Sequence, residues 1–129
     1  MIVGIGLDVV ELERMAKLLA RPSKDKFARR VLTEQEYVVW STLSSRRSLE
    51  YISGRFAAKE AIVKALGCGI GTKVGFMDIE VLPDEQGKPV CTLSAASVRR
   101  LGWENNSFQL HIAITHERSL AAATAIIEN

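Results

Sequence analysis

Asp8, Glu60 and Lys64 are the side chains of this sequence whose types and spacing point to chemistry. Glu60 and Lys64 stand four apart in the segment from Gly54 to Gly67, where Ala57, Ala58, Ala61, Ala65 and Leu66 favour helix and Gly67 is placed to end it in the left-handed conformation. The spacing puts a carboxylate and an ammonium on one helix face, their Cβ atoms roughly 6 Å apart, where apolar packing would be expected. Asp8 closes an apolar strand at the start of the chain. Two acids and a lysine drawn from separate elements are the parts of a magnesium–phosphate site. Each also has a plainer account. A Glu–Lys pair on an exposed helix contributes only about 0.2–0.5 kcal/mol, and an Asp after a strand often caps the next helix. The conjunction of the segments carries the chemical reading.

The elements that must position these groups are legible in outline. From Ile2 to Asp8 the residues alternate, which predicts a strand with Val3, Ile5 and Leu7 packed and with Asp8 beside Gly4 and Gly6 on the other side, where a ligand has room. Glu11 to Ala20 reads as a helix with Leu12, Met15, Ala16 and Leu19 as its apolar stripe and Arg14 and Lys17 away from it. Pro22 and Ser23 break it, a short helix follows over Asp25 to Val31, and Thr33 with Glu36 forms a capping box that opens another through Trp40. Arg46 and Arg47 are expected in a loop before the central helix.

Beyond the glycine-rich loop Gly67 to Gly71, strands are predicted over Val74 to Leu82 and Val90 to Leu93, and a short helix over Ser94 to Leu101. The last two strands, Phe108 to Thr115 and Leu120 to Ile127, form an antiparallel pair. Strands at both ends with helices grouped between them predict an α+β fold: an antiparallel sheet packed with helices, one of them long and central, in a single domain over residues 1–129.

The 129 residues suffice for one real core, with 47% apolar residues. No apolar run is long enough to span a bilayer and no basic region precedes the first strand, so neither a membrane span nor a signal peptide is expected, and a cytoplasmic location is. Cys68 and Cys91 form no CxxC pattern and are expected to be reduced packing residues. The net charge of +2 does not point to nucleic acid, and aromatic residues are not interleaved with the basic ones. Its distribution matters more: Arg14, Lys17, Arg21, Lys24, Lys26, Arg29 and Arg30 are opposed only by Asp25. Such a run is either a solvated face or a docking surface for an acidic partner.

Two glycine patterns are misleading. Gly4-Ile5-Gly6 lacks the third glycine of a dinucleotide fingerprint and has an acid at the turn that would meet a pyrophosphate. The glycines at 67, 69 and 71 follow a helix instead of opening one, and no Lys-Ser/Thr pair completes a Walker motif.

Three segments together resemble the holo-acyl-carrier-protein synthases, the small bacterial 4′-phosphopantetheinyl transferases: Gly4 to Asp8 continuing into Glu11-Leu12-Glu13-Arg14, then Arg55 to Ala65, and finally Ile114-Thr115-His116. The resemblance covers nearly the whole chain, and the first two segments in this order are highly specific. It implies transfer of the phosphopantetheine arm of coenzyme A to a serine of apo acyl carrier protein, releasing 3′,5′-ADP. It makes Asp8 and Glu60 ligands of Mg²⁺ and Lys64 a contact to phosphate and to the incoming serine. It also brings Arg55, Thr115 and His116 to coenzyme A, and Arg14 and Arg21 to the carrier protein. The general base is Glu60, Lys64 or a metal-bound water; the reading favoured is a base acting through water.

The resemblance further implies a homotrimer with sites at subunit interfaces. Where many relatives carry a serine two residues before the Thr-His pair, this chain has Ala113, and Glu117 follows His116. Two other functions remain compatible with the residues: a non-enzymatic module binding an acidic protein, and the same transfer to a carrier domain of secondary metabolism.

Overall fold

The computed structural model describes residues 1–105 and 107–129. Its elements run β1 (Ile2–Glu11), α1 (Leu12–Leu19), α2 (Lys24–Val31), α3 (Glu34–Ser41), α4 (Ser45–Leu66), a 3₁₀ turn (Phe76–Asp78), β2 (Ile79–Pro83), β3 (Pro89–Leu93), α5 (Ala95–Arg100), β4 (Gln109–His116) and β5 (Leu120–Glu128). Among the described residues there are two antiparallel sheets, one of order β1-β5-β4 and a hairpin of β2 with β3. This is the expected α+β architecture, with α4 as its long central helix.

Thr33 caps α3 as its sequence predicts: its hydroxyl accepts from the Glu36 N–H while the Glu36 carboxylate accepts from the Thr33 N–H. Gly67 ends α4 with φ of 77°, the left-handed conformation that costs glycine least. The predicted strand from Val74 gives way to the 3₁₀ turn, because the Asp78 carboxylate accepts from the Gly75 N–H and closes the backbone there. Arg46 and Arg47 lie in the first turn of α4 and not in a loop, since the 22-residue helix begins at Ser45. Cys91 is buried, its thiol pushed up to about 12 chiefly by desolvation, whereas Cys68 is exposed.

β1 packs with the opposite face from the one its alternation predicts. Val3, Ile5, Leu7 and Val9 are 47–68% exposed. The glycine face is covered instead: a Cβ on Gly6 would stand 1.8 Å from the Ala61 carbonyl oxygen, and one on Gly4 would stand 2.1 Å from that of Ala65. Glycine lets the α4 backbone rest directly on the strand, so the space beside Asp8 that seemed free for a ligand belongs to the helix. Near its middle α4 meets β4, where a Cβ on Gly54 would stand 3.0 Å from Ile114 Cγ2. The helix thus crosses the sheet from β4 to β1. Its buried Ala57, Ala58, Ala61 and Ile62 form one core with Ala123, Ala125, Val74 and Val81, while Met15, Ala28, Val31 and Ile52 form a second under α1 and α2.

Candidate active site

Lys64 and Asp8 meet where the last turns of α4 pass over β1. Lys64 Nζ donates to Asp8 Oδ1 at 2.9 Å and to the Leu7 carbonyl at 3.1 Å. The hydrogen bond and charge of Asp8 raise the Lys64 pKa, so the amine stays protonated at neutral pH. Glu60, one turn earlier, has its carboxyl raised by partial burial and then by the negative charge of Asp8, with Lys64 opposing. The three groups that the sequence singled out are therefore one electrostatic cluster. Two carboxylates that repel each other are a donor set suited to a hard divalent cation. No cluster of three or more His, Cys, Asp or Glu is found among the described residues, which leaves further coordination to phosphate oxygens and water, as magnesium commonly has it.

The neighbouring cleft, about 330 Å³, is lined by Asp8, Glu60, Arg14, Met15, Phe27 and Phe56 among others. Arg14 thus shares the cleft with the acidic pair and with apolar side chains. Leu18 and Phe27 continue into a smaller basin of about 210 Å³ bordered by Arg21, Lys26 and Arg30. Of the basic run, Lys17 pairs with Glu13 and Arg29 with Asp25. Arg14, Arg21, Lys26 and Arg30 make no ion pair among the described residues.

Arg55 and His116 are elsewhere. They line a cavity of about 350 Å³ at the β4 side of the sheet, with Arg47, Glu50, Tyr51 and Gly87. Glu50 lies 3.4 Å from His116 Nδ1 and also receives Arg46 Nε at 3.3 Å. Arg46 in turn donates to the carbonyls of Glu117 and Arg118, pinning the β4–β5 turn to α4. Thr115 alternates to the other face of β4 and is exposed there beside Ala113, on the same open side as Leu7 and Val9. Asp8, Ala123 and Ile114 are in register across β1, β5 and β4, so two strand spacings, about 10 Å, separate the two edges. The residues lining the two cavities do not overlap. One chain therefore holds the predicted site residues in two separate groups, Asp8, Glu60, Lys64 and Arg14 at the β1 edge and Arg55 with His116 at the β4 edge. A further cavity of about 760 Å³ between α1 and Trp40 contains none of the predicted site residues.

A family model described as the 4′-phosphopantetheinyl transferase superfamily matches residues 4–125. The chain belongs to that superfamily. It is 47% identical over 128 residues to the holo-[acyl-carrier-protein] synthase of Anoxybacillus flavithermus, covering 99% of this chain and 97% of the relative. The crystal structure of the Bacillus anthracis synthase in complex with CoA (3′,5′-ADP) matches with a TM-score of 0.83 and 42% identity, over 98% of this chain and 96% of that one. The Helicobacter pylori synthase in complex with coenzyme A matches with a TM-score of 0.81 and 30% identity, over 96% and 99%.

Within this phosphopantetheinyl transferase fold, the residues that sequence reasoning missed lie on α4. Arg47 and Tyr51 stand eight and four residues before the predicted Arg55 and share its cavity face, a periodicity hidden by the expectation of Arg46 and Arg47 in a loop. Lys59 was passed over as well. Its side chain is fully buried, and Nζ donates to Glu36 Oε1 at 2.6 Å and to the carbonyls of Val31 and Phe76. Desolvation pulls its pKa down, with Glu36 opposing. The other Glu36 oxygen accepts from the Val81 N–H. Beside the turn that carries Glu60 and Lys64, then, a buried ion pair ties α4 to α2, α3, the 3₁₀ turn and β2.

Proposed function

We propose that this protein transfers the 4′-phosphopantetheine group of coenzyme A to a serine of apo acyl carrier protein, giving the holo carrier and 3′,5′-ADP, in fatty acid biosynthesis. Membership of the superfamily and the synthase names of relatives at 41–47% identity support the reaction. The observation that carries the site is the Asp8–Lys64–Glu60 cluster beside Arg14. The serine oxygen bonds to the phosphorus that carries pantetheine, and the bond from that phosphorus to the oxygen of 3′,5′-ADP breaks.

Asp8 and Glu60 would hold Mg²⁺, which when bound supplies charge neutralisation on the pyrophosphate. Lys64, kept cationic by Asp8, attracts the transferring phosphoryl group. Glu60 takes the serine proton through water. Arg55 and His116 bind the nucleotide phosphates, and Arg14 and Arg21 meet the acidic face of the carrier. We place the reaction in the cytoplasm.

The working form is a homotrimer. Two observations support this: the β1 half-site and the β4 half-site lie at opposite edges of one sheet, and the open face between them presents Val3, Ile5, Leu7 and Val9 to solvent. A contact that joins the β1 side of one copy to the β4 side of the next is head-to-tail, and three such contacts close a ring. The function is tested by incubating the protein with coenzyme A, Mg²⁺ and apo acyl carrier protein and recording the intact mass of the carrier. The reading requires a gain of one phosphopantetheine that EDTA abolishes; an unchanged carrier with folded protein would overturn it.

A further inference from the structure

Tyr51 packs against the second core, but packing alone does not call for an aromatic residue with a polar tip there. It lies one turn before Arg55 on the cavity face of α4, and the Arg55 guanidinium carbon sits 4.0 Å from the centroid of its ring. The phenol oxygen is buried without a hydrogen bond of good geometry, and its pKa is raised, first by burial, with the Arg55 charge opposing. A leucine or methionine would fill this volume without burying an unpaired hydroxyl. What they lack is an aromatic face.

On its other side Arg55 donates Nε to the Val81 carbonyl at 3.3 Å. Held by that bond and by the ring, the guanidinium is fixed in one orientation while still lining the cavity with Arg47 and His116. A free arginine gives up considerable rotamer freedom on binding an anion; one stacked in advance gives up less. The ring faces a charge that must stay available to a ligand, which a carboxylate partner would neutralise and an aromatic face does not.

We propose that Tyr51 is the positioning residue of Arg55: its ring, and not its hydroxyl, presets the guanidinium for a phosphate of the coenzyme A nucleotide. This rests on the transfer reaction proposed above. Tyr51→Phe keeps the ring and so keeps coenzyme A affinity, and loss of the unpaired hydroxyl leaves the protein at least as stable. Tyr51→Leu removes the ring and weakens coenzyme A binding about three- to thirtyfold, the range of a partly desolvated cation–π contact, while the KM for carrier protein is unchanged.

The deciding experiment is a double-mutant cycle with Arg55→Ala, read by calorimetric titration with coenzyme A. Because Tyr51 acts through Arg55, adding Tyr51→Leu to Arg55→Ala produces no further loss. If the two losses multiply, if Tyr51→Phe weakens binding as much as Tyr51→Leu, or if the KM for carrier rises in parallel, the inference is wrong. Should Tyr51→Leu fail to fold, the cycle is run with Tyr51→Met, which fills the site with a flexible chain and still lacks the ring. Wild-type protein that converts carrier while the cycle is multiplicative refutes the role of Tyr51 alone; wild-type protein that neither binds coenzyme A nor converts carrier refutes the proposed function.

Discussion

The Lys64 ammonium reaches back over the glycine face of β1 to bond Asp8 at 2.9 Å, and this contact exists because Gly4 and Gly6 let the α4 backbone lie directly on the strand. The close approach that leaves Val3, Ile5 and Leu7 facing outward is the same one that brings Lys64 and Glu60 to the acid at the strand's end.

Replacing Glu60 separates activity from stability. Burial and the Asp8 charge raise its folded pKa above the unfolded value. The native state therefore favours the protonated form, and stability falls as pH rises from the ordinary carboxylate range through the folded pKa. In metal-free buffer at neutral pH, Glu60→Gln melts no lower than wild type and its stability is flatter across mildly acidic pH. Its transfer rate drops by about 100-fold or more, because a neutral amide is a poor magnesium ligand and a poor proton acceptor. Thermal melts from pH 4 to 8 beside a turnover assay check both.

Arg14→Glu reverses the charge beside the acidic cluster. The KM for acyl carrier protein rises by about tenfold or more, while coenzyme A affinity changes little. Raising the salt concentration narrows the difference between wild type and variant, since the contact is exposed. Steady-state kinetics with each substrate varied in turn distinguish this from a general loss.

Lys59→Met leaves Glu36 buried without its cation and empties two carbonyl contacts. A loss of about 3–5 kcal/mol is expected in denaturant unfolding, as for one partner removed from a buried pair. Pairing it with Glu36→Gln recovers part of that loss and not all, because the amide serves the Thr33 and Val81 N–H groups less well than the carboxylate does.

Much of this architecture was legible from residue pattern. The capping box at Thr33, the left-handed end at Gly67 and the pairing of the last two strands depend on neighbours in sequence. The Glu60–Lys64 face followed from helical spacing. Three features were not legible because long-range packing decides them. The alternation of β1 shows two faces but not which one a helix will cover, and two glycines reversed the usual choice. Gly54, which looks like the start of a helix, sits in the middle of one, where its missing Cβ admits Ile114. Nothing in the spacing of its neighbours marks Lys59, because the groups that surround its amine, Val31, Glu36 and Phe76, are distant in sequence. Thr115 and His116 are adjacent in sequence yet point to opposite faces, as any neighbours on a strand do.

The most direct test of the two-edge account is complementation between inactive chains. Glu60→Gln cripples the β1 half-site, and the double variant Arg55→Ala/His116→Ala cripples the β4 half-site. Coexpressed with different tags and purified through both, the mixed trimer should regain activity at about a third of its sites, because every ring containing both chains has one junction at which an intact β1 half meets an intact β4 half. Mixed oligomers no more active than either variant alone would contradict the account, and would place the complete site within one chain.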